Sequence, residues 1–402
     1  MKSERNWGRL GMKSNWMTTT INDVCSLVTD GAHNSPKSVE KGRYMASVKD
    51  FTEFGFDFSN CRRISEEDYE RLRKQGCVPE KDDILVGKDG ARYFEDIVIY
   101  KQDEQPALLS SIAILRADRK KIIPEFLYYT LKTPAVKKNV RDNYGSGSAI
   151  PRIVLKDFKR MPFSFPSVDE QRKITALCSA IDSKIQVNNA INKNLKQQAQ
   201  AIYQQMFIDN ARSDWTEGTL RDIADITMGQ SPSGSSYNED GNGTVFFQGR
   251  AEFGFRFPSV RLYTTEPKRM ARSNDILMSV RAPVGDLNVA HTDCCIGRGL
   301  AAIHSKSNHQ SFVLYTMFSL KKQLDIFNGE GTVFGSINRN SLNDMPILIP
   351  SDDILDEFEK IVAPMDLTIR NNYDENCRLQ DIRDTLLPRL MSGKLDASDI
   401  EL

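Results

Sequence analysis

The two halves of this sequence repeat each other, and that duplication limits the possible folds more than any other feature. Residues 145–167 ("GSGSAIPRIVLKDFKRMPFSFPS") align without a gap with residues 329–351 ("GEGTVFGSINRNSLNDMPILIPS"). Further matched pairs keep the same order: "INDV" (21–24) with "LRDI" (220–223), "DDILVG" (82–87) with "NDILMS" (274–279), and "EFLYYTL" (125–131) with "SFVLYTM" (311–317). One repeat of about half the chain indicates two copies of a domain rather than a solenoid of short repeats. Because the intervening stretches differ, we expect one scaffold that presents two different surfaces.

Each copy begins with a globular part, which we call the first domain (about 18–165) and the second domain (about 214–349). Short β-like runs alternate there with glycine-rich turns; examples are "EDIVIYK", "SSIAILRA", "TVFFQG" and "DILMSV". In "IPEFLYYTLKTPAVKKNV" and "HQSFVLYTMFSLKKQLDIF" the apolar residues recur every three or four positions, which indicates helices. Each domain is therefore predicted to be a mixed α/β globule.

A long helix is predicted after each domain. From Asp169 to Phe207 the sequence has neither proline nor glycine, and its apolar residues recur at steps of three and four. That spacing is typical of a narrow apolar seam on one face of a long helix. The residues assigned to the two seams are Ile174, Leu177, Ile181, Ile185, Ile191, Leu195 and Ile202 in the first copy, and Phe358, Ile361, Leu379, Ile382 and Leu386 in the second.

The simplest way to bury two such seams is for the helices to pack against each other. At about 1.5 Å per residue, the first helix is on the order of 55–60 Å long. If the second helix runs back beside it, the pair is antiparallel and the domains form a tandem pseudo-two-fold repeat. The predicted class is therefore α+β, with two mixed α/β domains joined by two long antiparallel helices in a coiled coil. The alternative is a single compact domain with two core helices.

The composition excludes few functions. With 402 residues, 40% hydrophobic and 27% charged, the chain has an ordinary soluble profile. A formal net charge of +0 gives no support to nucleic-acid binding, although a local basic surface remains compatible with it. The apolar stretches are too short to cross a membrane. Seven scattered cysteines without a C-x-x-C pair favour reduced thiols in the cytoplasm over disulfides or zinc.

No motif for catalysis or for a cofactor is readable. There is no G-x-x-x-x-G-K-[ST] phosphate loop and no G-x-S-x-G nucleophile turn. Gly145 and Gly147 lack the third glycine of a dinucleotide site, and the four histidines do not have metal-ligand spacing. We therefore expect no catalytic residue, metal or cofactor in this chain.

The remaining chemical signal lies in glycine-rich loops that carry Arg, Lys, Asn, Gln, Ser and His. Glycine lets the backbone approach a ligand closely, and these side chains contact phosphates and base edges. The bland interpretation is that such loops are ordinary turns whose side chains cap helices or pair with acids. The candidate DNA contacts are His33, Asn34, Lys88, Arg92, Ser148 and Arg152 in the first domain, and Gln230, Gln248, Arg281, Arg298, Thr332, Asn338 and Arg339 in the second.

Several segments together resemble the specificity subunit of type I restriction–modification systems, from about Thr18 to Ser398. "LKQQAQAIYQQMFID" (195–209) is similar to the central conserved segment of that family, and "LQDIRDTLLPRLMSGKLD" (379–396) is similar to its C-terminal one. "GQSPSGSSYNEDGNG", "SVRAPVGD" and "CIGRGLAAI" resemble a recurrent form of its target recognition domain. The segments that follow from this resemblance are an N-terminal extension (1–17), target recognition domains at 18–165 and 214–349, and spacer helices at 166–213 and 350–398.

The resemblance implies a DNA-reading subunit without catalytic activity. One half-site is read by each domain in a major groove, and the helices fix the unread gap between two different half-sites. Methyltransferase subunits carrying S-adenosylmethionine, and motor-nuclease subunits using ATP and Mg, are the implied protein partners. Two alternatives stay open: a specificity subunit of a type IIB-like or orphan methylation system, and a coiled-coil adaptor that binds no DNA.

Overall fold

The computed structural model describes residues 16–145, 151–329 and 335–395. The chain divides into two compact units. The first unit contains Met1–Val187 together with Glu375–Leu402, and the second contains Asn188–Asp374. Each unit therefore combines one domain with part of each of the two long helices.

The first domain consists of short strands and helices. Its strands are β1 (Met17–Thr20), β2 (Cys25–Asp30), β3 (Arg43–Ala46), β4 (Phe51–Thr52), β5 (Gly55–Phe56), β6 (Arg62–Ile64), β7 (Ile84–Gly87), β8 (Ile97–Ile99), β9 (Ala107–Leu108), β10 (Ile112–Ala117) and β11 (Pro162–Phe165). Its helices are α1 (Ile21–Val24), α2 (Glu66–Lys74), α3 (Pro124–Lys132), α4 (Pro134–Asn143) and α5 (Leu155–Arg160). The long helix α6 (Val168–Tyr203) follows.

The second domain repeats this order. Its strands are β12 (Thr216–Thr219), β13 (Ala224–Met228), β14 (Tyr237–Asn238), β15 (Thr244–Phe247), β16 (Leu262–Thr264), β17 (Met270–Ala271), β18 (Ile276–Ser279), β19 (Leu287–Val289), β20 (Cys294–Ile296), β21 (Leu300–Ser305) and β22 (Pro346–Ile349). Its helices are α7 (Leu220–Ile223), α8 (Gln310–Ser319), α9 (Lys321–Asp325) and α10 (Arg339–Asn343). The long helix α11 (Asp352–Met391) closes the series.

The sheets confirm the duplication. The order β2-β10-β7-β8 in the first domain is matched by β13-β21-β18-β19 in the second. The pair β1-β11 is matched by β12-β22, and both pairs are antiparallel. The remaining sheets differ: the first domain has one of three strands (β6-β3-β9) and one of two (β4-β5), and the second has a single sheet of five (β14-β16-β15-β20-β17). The matched sequence blocks that form strands, β7 with β18 and β11 with β22, lie in the shared sheets.

Matching turn residues start the shared elements. The strands β7 and β18 both follow a residue with positive φ, Asp82 and Asn274, each at φ 74°. Asp and Asn tolerate this left-handed conformation better than other residues with a side chain. The short helices α1 and α7 both start in a capping box, Thr20 with Asp23 and Thr219 with Asp222. The sequence therefore sets the same backbone geometry twice.

Each domain buries its sheet against a short helix and the nearby ends of the long helices. In the first unit, Phe126 of α3 packs in one core with Ile174 and Cys178 of α6 and Leu390 of α11. In the second unit the equivalent core contains Phe312 of α8 with Phe207 and Phe358, whose ring centroids are 5.1 Å apart. The apolar faces of the long helices therefore pack against the domains as well as against each other.

Within each unit the two long helices run antiparallel, as predicted. In the first unit Asp182 contacts Arg383, and Lys184, further along α6, contacts Glu375, which is earlier in α11. The seam itself differs from the prediction because it passes through polar residues. Buried positions recur every seven residues, at Gln171, Cys178, Ile185, Asn192 and Ala199 in α6 and at Leu355, Val362, Ile369, Asn376, Arg383 and Leu390 in α11.

The assignment of three residues to the seam is wrong, because their side chains face solvent. Ile191 is 42% exposed, Ile361 41% and Ile382 48%. Each is next to the true seam residue, which is Asn192, Val362 or Arg383. At Asn192 and Arg383 the seam residue is polar, so a pattern of apolar residues selects its neighbour instead. Buried as assigned are Ile174, Ile181, Ile185 and Phe358, and partly buried are Leu177, Leu195, Ile202, Leu379 and Leu386.

Candidate nucleic-acid interface

Three turns of the second domain meet at one end of its sheets. They follow β15, β18 and β20 and surround a cavity of about 260 Å³. Its lining carries three arginines on different turns, Arg250, Arg281 and Arg298, together with Gln248 and Ser279. The cavity is therefore cationic and rich in hydrogen-bond donors.

Glycine is needed where these turns approach each other. A Cβ at Gly297 would lie 2.9 Å from the Cα of Gln248, and one at Gly299 would lie 2.8 Å from the Gln248 carbonyl oxygen. Both distances are too short for any side chain, so the turn after β20 can touch the turn after β15 only with glycine. The Arg298 amide also donates to Ser231 Oγ over 3.2 Å, which fixes the backbone that carries the Arg298 side chain.

The three arginines differ in how free they are. Arg250 donates to Asp286 over 2.7 Å, and Lys321 lies 3.6 Å from the same carboxylate. Arg281 and Arg298 are exposed, and the turn that carries Arg281 is held by a β-bridge to Ser336. Arg281 and Arg298 are therefore the cations of this cavity best placed to meet an external anion or base.

The first domain has a cavity at the equivalent place, with a volume of about 480 Å³. Asp89, after β7, forms a β-bridge with Arg152 just as Arg281, after β18, does with Ser336. Next to these bridges, the Ile153 amide donates to the Lys88 carbonyl and the Ile337 amide to the Val280 carbonyl, both over 3.0 Å. The two cavities therefore occupy matching turns of the duplicated frame.

The charges of the two cavities differ. The first is lined by Lys49 and Arg92 but also by Asp89 and Asp96. Arg92 donates to Asp96 over 2.7 Å, and this hydrogen bond raises the pKa of the Arg92 guanidinium. The first cavity thus combines acidic and basic side chains where the second carries arginines without acids in its lining.

Two predicted contacts have partners within their own domain. Lys88 is only 7% exposed and its ammonium lies 3.2 Å from Asp30, so its charge is already neutralised inside the domain. Asn338 is the N-cap of α10, where its side-chain oxygen accepts from the Ser341 amide over 2.9 Å. Both side chains already have structural partners, which sequence spacing alone did not show.

The structure groups some of the other candidates and separates the rest. Gln248, Arg281 and Arg298 share the second cavity, and Arg92 lines the first. His33 is exposed with Nε2 3.3 Å from Asp30. Exposed outside the two cavity linings are Asn34, Arg152, Gln230 and Arg339, while Ser148 and Thr332 lie outside the described residues.

Five charged or polar cavity residues were missed by the sequence reasoning: Lys49, Asp89, Asp96, Arg250 and Ser279. Asp89 was missed because a search for DNA contacts favours cations. Lys49 and Arg250 belong to short helical turns, Val48–Asp50 and Arg250–Glu252, that follow the equivalent strands β3 and β15. Aligning those turns between the two halves is the signal that would have found them.

Among the described residues, no group of three or more His, Cys, Asp and Glu side chains is arranged to hold a metal ion. The same part of the chain has no helix with the length and apolarity needed to cross a membrane.

A family model decides what this duplicated frame is. The model for the type I restriction modification DNA specificity domain matches residues 13–197 and again residues 212–376. The chain belongs to this specificity-subunit family. Both matched segments contain one domain and the greater part of the helix after it, so the family unit coincides with the internal repeat.

Individual relatives agree with this assignment. A putative type I restriction enzyme MjaX specificity subunit of Methanocaldococcus jannaschii is 27% identical over 405 aligned positions, which cover 94% of this chain and 93% of the relative. The type I restriction enzyme HindI specificity subunit of Haemophilus influenzae is 22% identical and covers 68% of this chain and 78% of the relative. The chain is thus similar to full-length specificity subunits.

A solved structure shares the fold. The type I restriction–modification S subunit from M. genitalium superposes with a TM-score of 0.56 at 16% identity, covering 97% of this chain and 99% of that one. The predicted α+β class is confirmed: two mixed α/β target recognition domains in tandem, joined by two long spacer helices.

Proposed function

We propose that this specificity subunit reads an asymmetric, bipartite DNA target, with one half-site for each recognition domain. The observation that supports this most strongly is that the charged side chains of the two matching cavities differ: arginines line the second, and aspartates beside cations line the first. A frame repeated for its own stability has no need to vary the charged side chains of its two cavities in this way. Two readers of different base sequences do need that difference.

The second domain has the side chains for a guanine-containing half-site. An arginine can donate two parallel hydrogen bonds to O6 and N7 of guanine in the major groove, and glutamine can pair with adenine in a similar way. Arg281 and Arg298 are exposed at the cavity, and Gln248 lines it from a third turn. Arg250, whose guanidinium is paired with Asp286, lines the same cavity.

The first domain has the chemistry for a different half-site. Carboxylates accept hydrogen bonds from the N4 amino group of cytosine, and Asp89 and Asp96 line this cavity. Lys49 and Arg92 supply positive charge beside them, which offsets the repulsion between carboxylates and the phosphate backbone. The two half-sites should therefore differ in sequence, and the complete target should not be a palindrome.

The long helices complete the proposal. They act as the spacer that sets the unread gap, and their solvent-facing apolar residues dock methyltransferase subunits. Those partners carry S-adenosylmethionine and flip the target adenine, and the motor-nuclease subunits with ATP and Mg join through them. The chain itself catalyses none of these steps and works in the cytoplasm. The exposed apolar residues on the helices are Val187, Ile191, Ile361, Leu367 and Ile382.

The test is to assemble the chain with its methyltransferase subunit and map methylated adenines across a genome by single-molecule sequencing. We expect one motif with two different half-sites and a fixed gap. The same complex should bind a duplex that carries this motif, and its affinity should fall as salt rises because phosphate contacts displace counterions. A complex that assembles but binds motif and unrelated duplexes equally at every salt concentration would refute DNA reading.

A further inference from the structure

A tyrosine–aspartate hydrogen bond joins each recognition domain to a long helix; it is buried in the first unit and partly buried in the second. In the first unit, the hydroxyl of Tyr129 in α3 donates to Asp182 of α6 over 2.7 Å. In the second unit, the hydroxyl of Tyr315 in α8 donates to Asp366 of α11 over 3.0 Å. Tyr129 and Tyr315 are matched in the aligned sequence blocks, and the two aspartates share the 184-residue offset that relates Gly145 to Gly329. The contact belongs to the duplicated frame.

Each aspartate is also paired with a buried arginine, but the arginines come from different parts of the chain. In the first unit Arg383 of α11, 7% exposed, lies 2.6 Å from Asp182. In the second unit Arg256, 5% exposed, lies 3.0 Å from Asp366 and donates to the Tyr315 hydroxyl over 3.2 Å. Arg256 belongs to the second domain itself, in the loop before β16.

The two arginines do not differ by a small shift along the helix, because α6 has no arginine at the position that corresponds to Arg383. With the same offset, Arg383 of α11 corresponds to Ala199 of α6, which is fully buried and carries no charge. Besides the Tyr129 hydroxyl, the first domain contributes Glu53, whose carboxylate lies 3.3 Å from Arg383. The first domain is therefore anchored by an arginine of the scaffold, and the second domain brings its own.

Buried ion pairs of this kind contribute more to fixing the orientation of two elements than to the free energy of unfolding. Moving both charges out of water offsets most of their attraction, so such a pair contributes little net stability, whereas its directional hydrogen bonds favour one arrangement of the two elements. Burial by itself lowers the pKa of Arg383, but its hydrogen bond to Asp182 and the nearby Asp384 raise it, so the arginine stays charged. Each cluster thus fixes the angle at which a domain is attached to its helix.

We propose that the Tyr–Asp–Arg clusters are positioning sites that hold each recognition domain at a fixed angle and so fix the gap between half-sites. The two domains are unequal as modules, because the second carries its arginine and the first depends on Arg383 of the C-terminal spacer helix. This inference rests on the proposed function, since a gap exists only if both domains read DNA.

The first experiment neutralises each cluster in the full-length subunit assembled with its methyltransferase. One variant combines Arg383→Met with Asp182→Asn and the other combines Arg256→Met with Asp366→Asn, so that neither leaves a buried charge unpaired. The substrates are duplexes that keep both half-sites and have the correct gap, one base pair more or one base pair fewer. Arg378→Met, at an exposed position of α11, is the control.

In both double variants the half-site bases should stay the same. The rate of methylation at the wrong gaps, relative to the correct gap, should rise about tenfold, which corresponds to about 1.4 kcal/mol. Loss of stability alone would lower methylation at all three gaps in proportion and leave this ratio unchanged. An unchanged ratio in assembled complexes overturns the proposal. If a double variant does not assemble, Tyr129→Phe and Tyr315→Phe decide the question by the same ratio.

A second experiment tests the inequality of the domains. In a chimera whose residues 18–165 are replaced by a second copy of residues 214–349, the incoming domain supplies an arginine for Asp182. Arg383→Met should then leave the gap ratio unchanged, although in the natural chain the same substitution raises it. An equal rise in both chains refutes the modular difference. If the natural complex shows no fixed motif at all, the proposed function fails rather than this inference.

Discussion

The two recognition domains of this subunit are alike where they meet the scaffold and different where they meet solvent. Their four-stranded sheets have the same order, their first helices start in the same capping box, and both place a tyrosine on a helix aspartate. Their cavities, on matching turns, are lined by arginines in one domain and by aspartates with cations in the other. The comparison shows that a duplicated fold can keep its attachment geometry while its reading surface changes.

The largest effect is expected from a substitution in the second cavity. Arg281→Ala should weaken binding to the complete cognate site by roughly ten- to a hundredfold, because one bidentate arginine–guanine contact is lost. The loss should concern the second half-site only, measured by fluorescence anisotropy on duplexes with single half-site changes. Arg272→Ala is the control, since this exposed arginine lies at the other end of β18. Equal losses on cognate and unrelated DNA would make Arg281 a phosphate contact instead.

The matching position in the first domain should give a smaller effect on the other half-site. Asp89→Asn replaces an acceptor-only carboxylate with an amide that both donates and accepts. We expect discrimination at one base pair of the first half-site to fall by about tenfold, with the second half-site unaffected. Competition binding with duplexes that vary one base pair at a time measures this. A change in the second half-site would contradict the assignment of one half-site to each domain.

The N-cap of α10 allows the two domains to be compared in a region with no proposed role in DNA reading. Asn338 caps this helix, whereas the equivalent helix α5 begins after Val154, which provides no side-chain cap. Asn338→Ala should lower the free energy of unfolding by about 1 kcal/mol, and Val154→Asn should raise it by a similar or smaller amount. Chemical denaturation measures both. A change in the methylated motif of the Asn338 variant would show that the side chain contacts DNA after all.

The smallest effect is expected from the two capping boxes. Their contributions to stability should depend on pH in the same way. Hydrogen bonds from Thr20 and Thr19 lower the pKa of Asp23, and those from Thr219 lower the pKa of Asp222. Because the folded-state pKa lies below the unfolded one, each carboxylate stabilises the fold above the ordinary aspartate pKa, and this contribution is lost as the pH falls through the folded pKa. Asp23→Asn and Asp222→Asn should therefore reduce stability near neutral pH and lose their effect in strong acid. Urea denaturation at several pH values tests this, and different pH profiles for the two variants would break the equivalence.

The fold was largely predictable from the sequence because the residues that repeat are mainly apolar residues and turn residues. The runs "DILVG" and "DILMS" became the equivalent strands β7 and β18, and the aligned "EFLYYTL" and "SFVLYTM" became α3 and α8. The seam was predicted less well, since Asn192, Asn376 and Arg383 occupy buried heptad positions that an apolar pattern does not reveal. Their burial depends on partners distant in sequence, such as Asp182 for Arg383 and Asn372 for Asn192.

The candidate site was predictable in its location but not in its details. Glycine-rich turns marked the cavity, because close backbone approach leaves glycine as a sequence signal. The roles of Lys88 and Asn338 could not be predicted, since an ion pair to Asp30 and a helix cap are set by three-dimensional contacts. Asp89 has no signature of its own and becomes visible only when its turn is compared with that of Arg281.

The most direct test of the whole account is the methylated motif of a hybrid subunit. Residues 214–349 of this chain are grafted in place of the second recognition domain of a related specificity subunit, and methylated adenines are mapped by single-molecule sequencing. The account predicts that the hybrid keeps the recipient's first half-site and gap and acquires the second half-site of this chain. A hybrid that assembles and methylates but keeps both of the recipient's half-sites would contradict it.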